Sequence, residues 1–495
     1  MNEQNLKWKK IIAIGIGILL LLTATFFGKN QLFGDKNKDK DNGNKVVDTK
    51  PEPDTGTKPD PDTKPEPNTS IDPAYVLASA KKPELVQMPD IEKFSDDSGV
   101  LDFEKYDAAY REWEESQKQL QVQSDDYFKG YQEFLREINP KLLKDQLENN
   151  RVYSPLNIYL ALSMLAETTA GNSRAEILNL LKTDTIENVR KNSQDLWKES
   201  YQNDGTYTSL LANSIWLREG EQYKQDTLDI LAKDYYASTF KGVMGDTKYD
   251  NQLHNWINEN TNNLLKDEAG ELKFSEDTIM GIVSTIYFNS AWKGEFLDSE
   301  EGTFYAPKEE IKTTFMKEKD DGILYWGENF KAVKKLLNVD GSMWIIVPDE
   351  GVSTSDVVAN EELYDMVDNY DYKNQKDMKV TLVMPKFDTT TDLDLIEVMK
   401  EMGVNDIFNS DDADFSNISD RNNLEISEIK HAARVKVDEK GLEAAAFTAM
   451  MMKATSAPPQ DMEEIEIRAD KPFLFVIANN EGRALFSGVI NTLND

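Results

Sequence analysis

Residues 426–449 read ISEIKHAARVKVDEKGLEAAAFTA, and the fold turns on how they are read. Val435-Lys436-Val437 alternates apolar and charged side chains, the period of a strand with one face on a core. Asp438-Glu439-Lys440 interrupts it with three charges, and Gly441 offers a flexible pivot where the chain can change direction. Leu442, Glu443, Ala444, Ala445 and Ala446 follow, then Phe447, Thr448 and Ala449, mostly small side chains. By propensity alone the alanine run is a helix, since alanine is the best helix former. The small side chains leave a second reading open beside it, a segment that could slide between two paired strands without displacing packed neighbours.

Outward from this stretch, residues 124–495 show helical patterns first and strand-like runs later. The apolar spacing predicts helices over Pro155–Leu165, Ser173–Leu181 (with Ser173 as N-cap) and Asp250–Leu265, and a helix start at Ser124-Asp125-Asp126. Strands are predicted at Ile282–Phe288, Met343–Val347, Val380–Val383, Phe473–Ile477 and Ala484–Ile490. Helices followed by strands point to an α+β class with a large antiparallel or mixed sheet.

Four further stretches sharpen this. They are YSPLNIYLALSMLAETTAGNSRAEIL (Tyr153–Leu178), STIYFNSAWKGEF (Ser284–Phe296), VTLVMPKF (Val380–Phe387) and the pair ADKPFLFVI…ALFSGVI (Ala469–Ile490). With Ile426–Ala449 they stand in the order found in serpins, and the chain resembles that family over essentially all of 124–495. The resemblance implies a serpin fold with three β-sheets, about eight or nine helices and an exposed reactive loop. It therefore selects the loop reading for the alanine run. It also implies suicide inhibition of serine proteases, in which a cut loop inserts into a central sheet and no residue of the inhibitor is catalytic. A newly inserted strand gains about a dozen hydrogen bonds at roughly 1 kcal/mol net each. The alternative is a non-inhibitory serpin-fold binding or chaperone module.

The same resemblance assigns residues. The hinge is Glu439, Lys440, Gly441, Leu442, Glu443, Ala444, Ala445 and Ala446, and the shutter and breach are Ser154, Ser284, Trp292, Lys386 and His431. Counting from Glu439 as the family does, the scissile bond is Thr455–Ser456, with Met452, Lys453 and Ala454 as competing positions. A small uncharged Thr455 suits subtilisin-like or elastase-like proteases, whereas a cut after Lys453 suits trypsin-like ones. Three departures stand out: Leu442 where the family has Thr or Ser, Ser284 where it has the shutter asparagine, and Thr261-Asn262-Asn263 without the usual glycine. Read without the family, His431 is an ordinary buried histidine, and Lys386–Glu439 a surface pair worth at most about 1 kcal/mol.

Totals exclude other classes. Among 495 residues, 39% are hydrophobic and 10% aromatic, enough for a sizeable core. The net charge of −34, with no run of Lys or Arg, argues against nucleic-acid binding. There is no cysteine, and the two histidines, His254 and His431, lie far apart in sequence. Thiolate nucleophiles, cysteine zinc sites and iron–sulfur clusters therefore drop out, and a histidine-based hydrolase is disfavoured. No cofactor or metal is expected, and the chain is expected to act as a monomer.

The N-terminal quarter is organised differently. Residues 1–10 form a short lysine-bearing tail, and Ile11–Phe27 is an uncharged apolar run of a length that fits either a membrane anchor or a signal segment. The lysines before it favour a cytoplasmic N-terminus and an exported, cell-surface remainder, secreted if the segment is cleaved. Residues 28–73 form a linker with the near-repeats TKPEPD, TKPDPD and TKPEPN, and six of the 17 prolines fall between Pro51 and Pro67. Such a stretch favours polyproline II and reaches on the order of 100 Å. Residues 74–123 form an acidic, partly helical extension in which Phe103, Tyr106, Tyr110 and Trp113 make one stripe, expected to pack on the following domain.

Overall fold

The computed structural model describes residues 71–493, apart from 97–98, 123–125, 145, 204–206, 340, 369–371, 427 and 443–461. Two compact units result. The described part of the smaller is Pro89–Tyr110; the larger joins residues 71–88 to Arg111 and everything after it. In the smaller unit, Tyr106 meets Phe94 edge-on at 5.8 Å, so the aromatic stripe begins by packing on its own neighbouring turn, and Phe103 stays exposed.

The larger unit is α+β. Eleven α-helices occur among the described residues, counting Phe103–Gln117, which starts in the smaller unit. That exceeds the expected eight or nine because three of them, Lys266–Glu271, Thr354–Val358 and Ile396–Glu401, are only five or six residues long. The helix Pro155–Thr168 starts where Ser154 accepts from the Asn157 amide and Pro155 fills the first turn. It is buried on almost every side. The expected serine cap at Ser173 is replaced by an earlier start. The helix runs Gly171–Leu180, and Ser173 lies inside it, where its hydroxyl accepts from the Asp414 amide at 2.9 Å. The third predicted helix is Thr247–Asn260, capped by Asp246. It stops at Thr261 because Asn262 and Asn263 adopt left-handed φ angles of 50° and 61°. Asparagine tolerates that region, so the two residues make the turn without the family's glycine. The helix expected from Ser124 begins at Lys129, with Tyr131, Phe134 and Leu135 buried as the spacing predicts.

Hydrogen bonding arranges the strands in two networks. The first has eight strands, in the order Val76–Ala78, Ala237–Gly242, Tyr207–Arg218, Met280–Ala291, Gly441–Leu442, Lys430–Val437 and Phe387–Asp394, with Gln202–Asn203 attached at the side. The second has nine and is built around Glu310–Trp326, a strand of 17 residues. That one strand pairs with Asp298–Tyr305, Gln375–Pro385 and Phe330–Leu336. It is long enough to run through what would otherwise be a sheet boundary, so two of the three expected sheets form one continuous network. Further along the same network, Phe473–Ala478 and Ala484–Ile490 are buried at every residue, which explains their largely apolar sequences.

Val76–Ala78 was expected in a separate extension but is the outermost strand of the first sheet, paired antiparallel with Ala237–Gly242. Ile71 is buried, and Tyr75 stacks on Tyr249 at 5.5 Å. The Lys81 amide donates to Ala232 O, and Lys82 Nζ to Leu211 O at 3.2 Å. Burial pushes the Lys82 ammonium down to about 8. Composition alone drew the linker boundary at residue 73 because Ile71 is a single apolar residue in a polar run.

Candidate functional site

The site lies where Lys430–Val437 turns back on itself. Asp438 makes the turn: its Oδ1 accepts from the amides of Lys440 at 2.8 Å and Gly441 at 3.2 Å, and its own amide donates to Gly441 O. Gly441 and Leu442 then form a two-residue strand, Leu442 pairing with Val437 on one side and both residues with Ser290 and Ala291 on the other. No ladder among the described residues pairs Met280–Ala291 directly with Lys430–Val437. The two long strands therefore face each other across a slit closed at one end by a clip of two residues.

Gly441 was expected as a pivot, yet its backbone conformation is one any residue adopts. Its requirement is space: a Cβ there would sit 2.3 Å from Ser290 O and 2.8 Å from the Ala291 Cα. Both are backbone atoms held in the sheet, so any side chain would push the clip out of the slit. Leu442 is only 2% exposed, so its bulk is accommodated inside the sheet rather than left in solvent.

Around the clip, the turn 292–296 grips the carbonyls of residues 438–440. The Trp292 indole donates to Asp438 O at 2.9 Å, the Trp292 amide to Lys440 O at 2.8 Å and the Phe296 amide to Glu439 O at 3.0 Å. Lys386 Nζ meets Glu439 Oε1 at 2.6 Å, and this pairing holds the half-exposed Glu439 carboxyl below its usual range. Trp292, Lys386, Glu439, Lys440, Gly441 and Leu442 are thus gathered at one end of the slit.

Ser154, Ser284 and His431 line its middle. The Ser154 amide donates to His431 Nε2 at 3.0 Å, which requires an unprotonated nitrogen. Burial pushes the His431 pKa down to about 4, in keeping with a neutral ring. Asn157 Nδ2 reaches Ser284 O at 3.4 Å, but the buried Ser284 hydroxyl and Asn157 Oδ1 have no hydrogen-bond partner among the described residues. A serine where an asparagine was expected is too short to complete that network. The other histidine is elsewhere, with His254 Nε2 hydrogen-bonded to Leu272 O at 2.6 Å.

Glu443, Ala444, Ala445, Ala446, Met452, Lys453, Ala454, Thr455 and Ser456 lie outside the described residues, as does the apolar run 11–27. No helix among the described residues is long and apolar enough to cross a membrane.

Sequence reasoning missed Asp438, whose carboxylate shapes the turn, and the grip of 292–296 on the hinge carbonyls. An Asp three residues before a glycine is a turn signal that could have found the first. Backbone donors leave no mark in a sequence, so the second had none.

The family described as Serpin (serine protease inhibitor) matches residues 129–492. This chain belongs to the serpin family. Human neuroserpin is 25% identical over 360 residues, covering 69% of this chain and 85% of neuroserpin. A serpin-like protein of Thermococcus kodakarensis is 29% identical over 351 residues, covering 69% of this chain and 80% of that protein. Among solved structures, the native state of the thermophilic serpin tengpin matches with a TM-score of 0.67 at 26% identity, covering 75% of this chain and 96% of that one. Human thyroxine-binding globulin shares the fold with a TM-score of 0.66 at 18% identity, covering 74% of this chain and all of that one.

Proposed function

We propose that this serpin inhibits serine proteases by suicide cleavage of its loop at the cell surface. The observation that carries the reading is the slit between Met280–Ala291 and Lys430–Val437, bridged among the described residues only through Gly441 and Leu442. Unpaired edges facing each other inside a sheet are a standing vacancy for a further strand. The clip Gly441–Leu442 already lies between those edges at one end.

In this reading the protease serine attacks the carbonyl of Thr455, and the bond to Ser456 breaks. Ser456 leaves as a free amine with the proton delivered by the protease histidine, and an ester joins loop to protease. Residues from Glu443 onward then zip into the slit before water reaches the ester. The chain supplies bait, hinge and vacancy, and no catalytic group. Small, uncharged Thr455 favours subtilisin-like or elastase-like targets over trypsin-like ones. The segment 11–27 holds the molecule at a membrane, the linker spaces it outward, and it acts as a monomer.

The second reading is a non-inhibitory binding or chaperone module. It is favoured by the unpartnered Ser284 hydroxyl and Asn157 Oδ1 in the slit. Thyroxine-binding globulin also shows that the fold houses proteins named for a small ligand.

Mixing the protein with subtilisin, elastase and trypsin decides between them. A covalent complex that survives boiling in SDS, with a released fragment starting at Ser456, is the expected result. Cleavage by all three without any trapped complex would leave the binding module. Trapping of trypsin alone, with a fragment starting at Ala454, would move the cut to Lys453. Fractionation of producing cells tests the anchor, which requires the full-length chain in the membrane pellet.

A further inference from the structure

Lys335 is out of place. It sits on Phe330–Leu336 of the second sheet with its side chain only 6% exposed, in a position where an apolar residue would pack without cost. Its ammonium donates to Gly294 O at 2.6 Å and pairs with Glu318 Oε2. The rings of Phe296 and Trp292 lie 4.6 and 5.8 Å from Nζ, close enough for both faces to attract the charge. Every partner but Glu318 belongs to the turn 292–296, whose amides and indole hold the hinge carbonyls. Burial lowers the Lys335 pKa, and Glu318 opposes that shift.

We infer that Lys335 is a positioning residue: from the second sheet it pins the turn 292–296, and so fixes the register in which the chain after Gly441 enters the slit of the first. The inference rests on the inhibitory reading for its consequence, not for its geometry. A freely moving turn would let the Trp292 and Phe296 amides drift from Lys440 O and Glu439 O. The clip would then fray, and insertion after cleavage would start late. Late insertion leaves time for the ester to hydrolyse, so more inhibitor is consumed for each protease trapped.

Hydrogen exchange on the intact, uncleaved chain tests the pinning without any protease. Replacing Lys335→Met together with Glu318→Leu removes the side-chain link without leaving a buried orphan charge, and leaves the backbone bonds Lys293 N to Leu336 O and Asn338 N to Ala291 O in place. Peptides covering 291–297 and 437–442 should then exchange about tenfold faster, the equivalent of one lost hydrogen bond to a charged group. Peptides within 343–347 and 474–477 should not change. Lys335→Arg should restore slow exchange, and Lys335→Gln, which keeps a donor for Gly294 O, covers the case in which the double variant fails to fold. Val333→Ala, in the same strand, is the control for plain loss of packing. Unchanged exchange at 291–297, or a rise spread over the whole second sheet as in Val333→Ala, would overturn the assignment. Against a protease trapped by the natural chain, the double variant should raise the stoichiometry of inhibition several-fold at an unchanged rate of loop cleavage. If the natural chain traps none of the three proteases, the inhibitory reading fails and the exchange result alone decides the role of Lys335.

Discussion

The two sheets of this serpin are held together in opposite ways. Phe473–Ala478 and Ala484–Ile490 in the second are buried at every residue and paired along their whole length. Met280–Ala291 and Lys430–Val437 in the first are just as long or longer, yet among the described residues they are paired only through Gly441 and Leu442. Those two strands of the second sheet are closed by burial on both faces. The first sheet is kept in register by a few polar contacts: His431 to the Ser154 amide, Lys386 to Glu439, and the turn 292–296 to the hinge. A sheet closed by burial resists opening everywhere at once, whereas a sheet closed by separate hydrogen bonds opens one bond at a time.

The sharpest attempt to break this contrast is to fill the slit. Cutting the loop near Thr455–Ser456 with a non-target protease, which leaves about a dozen residues after Leu442 free to insert, should raise the melting temperature by on the order of 20 °C. That follows from about a dozen new hydrogen bonds at roughly 1 kcal/mol each. A cleaved form that melts with the intact one would mean the slit accepts no strand. Next in size is Ala445→Pro, which removes a ladder donor from the entering segment. Loop cleavage should proceed normally while trapped complex falls by about tenfold or more; unchanged trapping would sink the insertion mechanism.

Acid should weaken the first sheet selectively. The His431 pKa is about 4 in the folded chain and roughly 6.5 unfolded. Between those values the unfolded state binds more protons, so stability falls as pH drops from 6.5 to 4, by about 3 kcal/mol in total. Melting curves at pH 7 and 4.5 should therefore differ more for the natural chain than for His431→Gln. Equal slopes would remove His431 from the contacts that hold the slit. Tyr75→Ala, which takes the ring from Tyr249, should cost about 1–2 kcal/mol and act on the outer edge of the first sheet without changing trapping. The smallest effect is expected from Lys386→Ala. Both partners are half-exposed, so the pair contributes at most about 1 kcal/mol, and a loss well beyond that would show the clip to be more strained than its geometry suggests.

Much of this architecture was legible in the sequence, for a reason visible in the contrast itself. Short, largely apolar runs such as FLFVI and ALFSGVI read as strands covered on both faces, and they were placed to within a residue or two. The end of the slit was legible only through the family's motif, because Glu439 and Lys386 look like any surface pair until the chain brings them together. Three things were hidden. Ser173 has the sequence context of a cap, but a tertiary bond to the Asp414 amide claims its hydroxyl. Gly441 looks like a swivel, while the reason for it, the nearness of Ser290 O, comes from a strand about 150 residues away. Val76–Ala78 is three residues in an acidic extension, too short for any periodicity to show.

That short strand also decides how the molecule would bear a mechanical load. If the chain before Ile71 is fastened to a surface, tension enters at Ile71 and the Asp72 amide, which is held by Gln252 Oε1 at 2.8 Å. It then meets the Tyr75–Tyr249 stack, then the pairing of Val76 and Ala78 with Ala237–Gly242. These attachments lie in series, so each takes the whole force in turn and peels before the next is stretched. The slit and its clip, three strands further in, would feel little until the last has gone. The outermost strand is thus a mechanical fuse: it lengthens the tether under load and spares the part of the sheet whose opening matters.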